Sequence, residues 1–173
     1  ERPAPMSKWL TQLPSRLRRD ALRPLRGRML RTELYGLDGS ERQDRPYTVT
    51  ESLHGIGWVG DNSGTPRLRT TIAEELPIPD TEVAVFFPHT LGERTTQWER
   101  GSDPMTQFTF TDAYDDYGMA RSRTTISVPR GSAAAPHNRH LATHTITSYA
   151  QRDDQECYLV DRVAKTSSYD FSA

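Results

Sequence analysis

Cysteine is nearly absent from this chain of 173 residues, and Cys157 is the only one. A single cysteine cannot form an internal disulfide, which argues against a small secreted scaffold held together by disulfides. No apolar run approaches the roughly 18–20 residues that cross a membrane, and no signal peptide is recognisable, so we predict no membrane-spanning segment. The sequence begins Glu1-Arg2-Pro3 without an initiator methionine, and we therefore expect it to be part of a longer protein.

Apolar residues and net charge are also scarce. The apolar fraction is 34% and the mean hydropathy is -0.75, whereas about 45–50% apolar residues, glycine included, is usual for a globular domain. The formal net charge is -1, so no overall basic character indicates nucleic-acid binding. Seven arginines cluster between positions 16 and 31, which a solvated or partner-facing surface explains better than RNA. The composition predicts either much surface or apolar faces completed from outside the chain.

The sequence is rich in short runs that alternate apolar and polar residues, as half-buried strands do. In the segment 28–51, two such runs flank a polar loop with turn residues at Asp38-Gly39-Ser40, and Pro46 precedes the second run. We predict a β-hairpin here, with the alternative that 25–35 is one long strand whose partner lies outside the chain. Further strands are predicted at 66–72, 82–87, 94–99, 106–111, 121–128, 143–149 and 158–169. The run 82–87, bounded by Asp80 and Pro88, is the candidate for the centre of the sheet or for a strand buried on both faces.

The predicted fold class is therefore mainly β, built from antiparallel strands and hairpins, with at most one short N-terminal helix. Residues 1–24 are predicted to be a lead-in or linker, in which 1–14 is irregular and any docking is expected through Trp9. A possible short helix spans 15–23, with Ser15 as its N-cap and Pro24 as its end. Residues 25–173 are predicted to form one β-rich domain.

Gly55-Ile56-Gly57-Trp58-Val59-Gly60 fits the G-x-G-x-x-G pattern of dinucleotide-binding loops, with Glu74 and Glu75 near the position of a ribose-binding acid. Such a loop needs a helix to begin at the third glycine, so that helical N–H groups meet the pyrophosphate. The residues 61–66 that follow are turn-forming instead. We interpret the motif as a glycine-rich connection between strands and predict no cofactor.

Other candidate sites are weaker. Asp112–Gly118 lacks the acid and glycine spacing of an EF-hand loop and is interpreted as an Asp-rich turn. His137, His140 and His144 have a metal-ligand spacing only on a helix, which Pro136 disfavours, so they are interpreted as surface histidines. The segment 60–64 resembles a serine-protease loop but has no partner His and Asp, and Cys157 has no activating group beside it. We predict no catalytic, cofactor-binding or metal-binding residues.

Several strings resemble the middle region of the B component of bacterial insecticidal toxin complexes (the Tc toxins), and in order they cover most of 25–170. The strings are Leu25–Gly39, Arg45–Ser52, Val85–His89, Gln97–Arg100, Asp103–Met105, Tyr114–Gly118, Thr125–Gly131 and Tyr158–Ala164. The Asp115-x-x-Gly118 turn is also similar to the D-x-x-G turn of Rhs repeats.

The resemblance implies a B component, related to Rhs-repeat proteins, that joins a C component in a hollow shell of spiralling β-strands. The shell would enclose the cytotoxic tail of the C component, and a pore-forming A component would translocate it. The expected partners are the remainder of the parent chain, the C component and, indirectly, the A component. No nucleic acid is expected as a partner, and the complex would be made in the bacterial cytoplasm and secreted. No catalytic residue of the family falls in this region.

The sequence thus leads to one main hypothesis, a non-catalytic structural segment of the shell wall. The alternative is a β-rich module that binds a glycan, a receptor or a partner toxin subunit through aromatic side chains such as Trp58 and Trp98.

Overall fold

A computed structural model describes residues 4–60, 68–69, 78–79, 84–131 and 139–172. Two short helices and a 3-10 turn precede a series of strands. These elements are α1 (Ala4–Gln12), α2 (Ser15–Leu22), the 3-10 turn (Arg23–Leu25), β1 (Arg31–Leu34), β2 (Thr48–Val59), β3 (Leu68–Arg69), β4 (Val85–Gln97), β5 (Met105–Tyr114), β6 (Ala120–Val128), β7 (Leu141–Asp153) and β8 (Tyr158–Ser172).

The strands form one antiparallel sheet in the order β1-β2-β4-β5-β6-β7-β8, with the two residues of β3 paired to the end of β2. Strands that follow one another in the sequence are therefore neighbours along most of the sheet, as expected when short turns connect them. The predicted mainly β, antiparallel fold class is confirmed. The last predicted strand is longer than the sequence indicated, since β8 extends to Ser172.

The prediction of at most one helix, with an irregular segment before it, is wrong. Helix α1 begins at Ala4, and Pro5 lies in its first turn. Proline, which has no backbone N–H, is tolerated there because first-turn N–H groups have no acceptor within the helix. Helix α2 occupies nearly the predicted range, but Pro14 and not Ser15 takes the N-cap position. The apolar residues of the two helices fall on one face at spacings of three and four, which is the signal that the sequence offered.

The buried core lies where these helices pack against one end of the sheet. Its members are Met6, Trp9, Leu10, Leu13, Leu17, Ala21, Ile56 and Trp58. The Trp9 ring meets the edge of Phe86 on β4 at a centroid distance of 6.3 Å, which confirms the predicted docking through Trp9. The N-terminal segment is thus the main covering layer of the described sheet.

Strand β4 differs from its prediction. It continues through Pro88 to Gln97, so the two strands predicted at 82–87 and 94–99 belong to one element; residues 80–83 lie outside the described part. Proline is accommodated because its segment pairs with β2 at Ile56, whereas the β5 ladder begins only at Gly92. The strand is third of the seven in the sheet order, so it is an interior strand beside the central β5, and it is not buried on both faces, since Val85 is exposed.

The predicted hairpin in 28–51 is confirmed, because β1 pairs antiparallel with β2 from Arg31 opposite Glu51 to Leu34 opposite Thr48. The alternative long strand over 25–35 is not observed, since β1 has only four residues. All four residues of β1 are exposed, so the alternation of the first run buries nothing in the described chain, whereas Val49 of the second run is buried.

The loop between β1 and β2 is held by Arg100, which follows β4. Its guanidinium donates to both carboxylate oxygens of Asp38 at 2.8 and 3.1 Å, to Ser40 Oγ at 2.6 Å and to the carbonyl of Arg42 at 3.0 Å. It also lies over the Tyr47 ring at 5.3 Å. Because this guanidinium donates to Asp38, the pKa of that carboxyl is held well below its ordinary value.

Candidate functional site: the open face of the sheet

One face of the sheet carries two rows of side chains that cross it from strand to strand. We call these rows the open face. By register, the first row is Arg31, Glu51, Arg94, Phe108, Ile126, Ala142 and Phe171, and the second is Leu53, Gly92, Phe110, Thr124, His144 and Tyr169. The rows follow from the alternation of each strand, because directly opposed residues lie on the same face.

The open face is apolar over most of its width, and no described element covers it. Phe110, Tyr169 and Phe171 are 43%, 52% and 58% exposed. Phe108 and Phe110 stack at a centroid distance of 6.2 Å, which confirms that they share a face, as their spacing predicted. Phe108, Ile126, Ala142 and Phe171 follow one another across β5 to β8 and form a continuous apolar row. Exposed apolar surfaces of this kind are typical of interaction sites.

The β1 end of the open face is charged instead. Glu51 accepts hydrogen bonds from Arg31 Nη1 at 2.8 Å and from Arg94 Nε at 2.6 Å. The hydrogen bond from Arg94, followed by that from Arg31, lowers the pKa of Glu51. Between these charges and the phenylalanines runs a groove of about 260 Å³ lined by Leu53, Gly92 and Phe110 among others.

The opposite face is polar, and we call it the hydroxyl face. Its rows include Thr50, Thr95, Gln107 and Ser127, and then Glu93, Thr109, Thr125, Thr143 and Asp170. Cross-strand hydrogen bonds join Thr143 Oγ1 to Asp170 at 2.8 Å and the hydroxyls of Thr145 and Ser168 at 3.2 Å. The helices cover this face only at its apolar end, where Ile56 and Trp58 project.

The G-x-G motif lies inside strand β2, so its interpretation as a connection between strands is wrong. Gly55 and Gly57 are directly opposite His89 and Phe87 on β4. A Cβ on Gly55 would lie 2.6 Å from His89 Nε2, so the glycine leaves room for the ring. The glycine thus lets the two neighbouring strands pack closely. The backbone is extended here, so no helix N-terminus is present to bind a phosphate.

Like Trp58 at Nε1, the ring of His89 is buried in this region with polar atoms that have no hydrogen-bond partner among the described residues. His89 is 3% exposed, and both of its ring nitrogens are among these atoms. It stacks on Phe87 at 6.0 Å and meets Tyr114 edge-on at 5.1 Å. Burial lowers the pKa of His89 to about 4, so the ring is neutral at pH 7.

The structure does not bring the other sequence candidates together as a reaction centre. Asp115–Gly118 forms the predicted turn: the N–H of Gly118 donates to the carbonyl of Asp115 at 3.0 Å, and Gly118 has a φ of 82°. His144 lies in β7 with Nδ1 2.9 Å from Thr124 Oγ1, His140 precedes that strand, and His137 lies outside the described residues. Within the described ranges, no group of three His, Cys, Asp or Glu residues could hold a metal ion.

Cys157 lies in the turn between β7 and β8, where its N–H donates to Asp154 Oδ1 at 2.9 Å. The protease-like segment 60–64 falls outside the description except for Gly60, as do Glu74 and Glu75. No helix in the described part of the chain is long and apolar enough to cross a membrane.

The alternation in the sequence predicts the strands of the open face but not the face itself. The alternation at Phe108 and Phe110 was visible, whereas the rows depend on the register between strands that are up to 140 positions apart, such as Arg31 and Phe171.

Solved structures share this fold. The crystal structures of TcdB2-TccC3-Cdc42 and of TcdB2-TccC3 each align with a TM-score of 0.69 at 23% identity, over 92% of this chain and 8% of the matched chain. A structure of the Photorhabdus luminescens Tc holotoxin pore aligns with a TM-score of 0.69 at 21% identity over the same shares. The chain thus spans about 8% of the length of these chains. No protein with a curated function matches the sequence significantly.

The chain is thus an antiparallel sheet with an uncovered face, and chains of Tc toxin structures share its fold. The profile of the family described as "Insecticide toxin TcdB middle/C-terminal region" matches residues 20–172. The chain belongs to this family and represents the middle/C-terminal region of a Tc toxin B component, as its resemblance implied.

Proposed function

We propose that this chain is a non-catalytic structural segment of a secreted toxin-complex B component. Its strands contribute to the wall of a hollow, Rhs-type β-shell that encloses the cytotoxic effector of a C component. A pore-forming A component is an indirect partner in this proposal. The carrying observation is the open face, where Phe108, Ile126, Ala142 and Phe171 form an apolar row from β5 to β8 that no described element covers.

The energetics of the sheet support a role inside a larger assembly. The apolar side chains of the open face are about half exposed, so full burial would add roughly half of the 1.5–3 kcal/mol that complete burial of such a side chain provides. Strand β8 is fifteen residues long and lies at the edge of the described sheet, with β7 as its partner. A long edge strand offers unpaired N–H and C=O groups to a further strand, as a continuous wall requires. The TcdB2 structures that share the fold contain TccC3, which supports a C component as the partner.

The alternative function, a module that binds a glycan or a receptor through aromatic side chains, has less support. Trp58 is 5% exposed and packs in the core against the helices, so it cannot contact a ligand at the surface. Trp98 is half-buried. Two of the rings on which such a module would depend are therefore not fully available.

A matched pair of substitutions on β8 tests the proposal in the intact parent complex. Tyr169 lies on the open face and Ser168 on the hydroxyl face, one residue apart. Tyr169→Asp places a charge on the apolar surface, and we expect it to weaken assembly with the C component and to expose the effector to added protease. Ser168→Asp, the control, should assemble and protect like wild type. The shell proposal fails if Tyr169→Asp also assembles fully and leaves the effector protected.

A further inference from the structure

A small polar pocket lies on the hydroxyl face, between β6 and β7, away from the open face. It has a volume of about 160 Å³. Its lining residues are Ala120, Arg121, Ser122, Arg123, Thr145, Thr147 and Tyr149. The pocket is thus built from two arginines on one strand and hydroxyl-bearing residues on its neighbour.

The pocket lies where the regular ladder is interrupted. The register between β5 and β6 shifts twice, so that Asp112 on β5 and Arg121 on β6 have no directly opposed residue. Such irregularities bend a strand and redirect side chains, and they are frequent beside binding sites. Arg123 keeps its place in the ladder, opposite Thr111 on one side and Thr145 on the other.

Both arginines are exposed and carry uncompensated charge. Among the described residues, no carboxylate lies within ion-pair distance of either guanidinium, and neither one donates a hydrogen bond. Elsewhere in the sheet, Arg31, Arg94 and Arg152 are each paired with an acid. Two like charges beside one pocket repel each other, and an anion between them would relieve that repulsion.

The hydroxyl groups indicate which kind of anion fits. Tyr149 donates its proton to the carbonyl of Ala120 at 3.1 Å, so its oxygen can only accept and its ring closes one side of the pocket. The Thr147 hydroxyl has no hydrogen-bond partner within the described part of the chain and is free to donate. The two parallel N–H donors of one guanidinium satisfy a planar carboxylate. Two guanidinium groups and a hydroxyl donor instead match a group with three or four oxygens and two negative charges.

We propose that the pocket formed by Arg121, Arg123 and Thr147 binds a tetrahedral oxyanion, as a free phosphate or sulfate ion or as the head of a phosphate or sulfate ester. The site is independent of the shell proposal, because it lies on the other face of the sheet. Arginine stays protonated at all accessible pH values, so the charge of the site is constant. Phosphate, with a second pKa near 6, should bind more tightly at pH 7.5 than at pH 5.5, whereas sulfate should bind equally at both.

The test is to titrate the protein separately with inorganic phosphate, sulfate and glycerol 3-phosphate at low ionic strength. Binding is measured by calorimetry and by the NMR shifts of the arginine Nε–H groups. We expect saturable binding with one site and about tenfold weaker binding for each of Arg121→Gln and Arg123→Gln, since each removes charge-assisted hydrogen bonds. Both side chains are exposed, so the variants should fold, and circular dichroism verifies this. Arg162→Gln, an exposed arginine on β8 outside the pocket, is the matched control and should bind like wild type.

Tighter binding of glycerol 3-phosphate than of phosphate assigns the site to an ester, and equal binding assigns it to the free ion; both support the proposal. It is overturned if wild type shows no saturable binding of any of the three anions. The proposal is equally overturned if the single variants Arg121→Gln and Arg123→Gln both bind these anions as tightly as Arg162→Gln does.

Discussion

The close contact between Gly55 and His89 makes a substitution at this glycine a sensitive test of how β2 and β4 pack. Gly55→Ala places a Cβ 2.6 Å from His89 Nε2, 2.9 Å from Cε1 of the same ring and 3.1 Å from Leu91 Cδ1. The ring has little room to retreat, because it lies between Phe87 and Tyr114. The phenol of Tyr114 is itself fixed by donating to the carbonyl of Thr90 at 2.6 Å.

Two opposing effects set the magnitude. Forcing one extra methyl group into a packed site costs about 1–3 kcal/mol. Replacing glycine by alanine in a strand returns roughly 0.5–1 kcal/mol, because alanine loses less backbone freedom on folding. Since the contact at Gly55 is buried and closed on both sides, the first effect should prevail, and we expect Gly55→Ala to lower the free energy of unfolding by about 1–2 kcal/mol.

Gly92→Ala is the matched control, in the same sheet and on the same face. Its Cβ would lie 3.2 Å from Phe110 Cδ1, and Phe110 is 43% exposed, so this ring can move aside. Urea unfolding followed by circular dichroism should show Gly92→Ala to be neutral or up to about 0.5 kcal/mol more stable than wild type. In a His89→Ala background, the penalty of Gly55→Ala should largely disappear. The reasoning is refuted if Gly55→Ala is as stable as wild type, or if its penalty is unchanged without the His89 ring.

Three further predictions follow from buried or paired groups. Burial lowers the pKa of His89 in the folded chain from 6.5 to about 4. The unfolded chain therefore binds the proton more tightly, and about 3 kcal/mol of stability should be lost as the pH falls from 6.5 toward 4. His89→Phe should lose correspondingly less in urea unfolding over that window, and equal losses in both proteins would contradict the assignment. Asp38→Ala removes the carboxylate acceptor of Arg100 and should speed tryptic cleavage after Arg42, measured by mass spectrometry. An unchanged rate would show that the bonds between Arg100 and Asp38 do not hold the loop between β1 and β2. Trp9→Ala should lower the free energy of unfolding by about 3–5 kcal/mol, because the ring is 2% exposed, and a loss below about 1 kcal/mol would mean that the helices are not part of the cooperative unit.

Local alternation was sufficient to predict most of the strands. The runs at 121–128 and 143–149 fall within β6 and β7, and the hairpin over 28–51 has the predicted partners. The Asp115–Gly118 turn was also visible, because its residue types satisfy a specific backbone geometry. These features depend on neighbours in the sequence, so the sequence contains their full signal.

Features that depend on distant partners were missed or misjudged. Pro88 looked like the end of a strand, but it continues β4, since only β2 pairs with that segment. The helices around Met6 and Leu13 are short and proline-flanked, and the sheet residues Ile56 and Trp58 complete their apolar face. Short helices gain their stability from such packing more than from helix propensity. The N-terminal sequence taken alone therefore gave too little indication that a helix begins at Ala4.

The amino-acid sequence by itself determined the antiparallel strand pattern, the turns between strands, the lack of internal disulfides and the resemblance to a toxin-complex B component. Only the tertiary structure decided which side chains become neighbours on each face of the sheet. Register aligned Phe108, Ile126 and Phe171 into an uncovered apolar row, and it brought Arg123 opposite Thr145 on the hydroxyl face. The physical reason is that alternation places a side chain on one of two faces, whereas pairing between strands fixes which side chains become neighbours there.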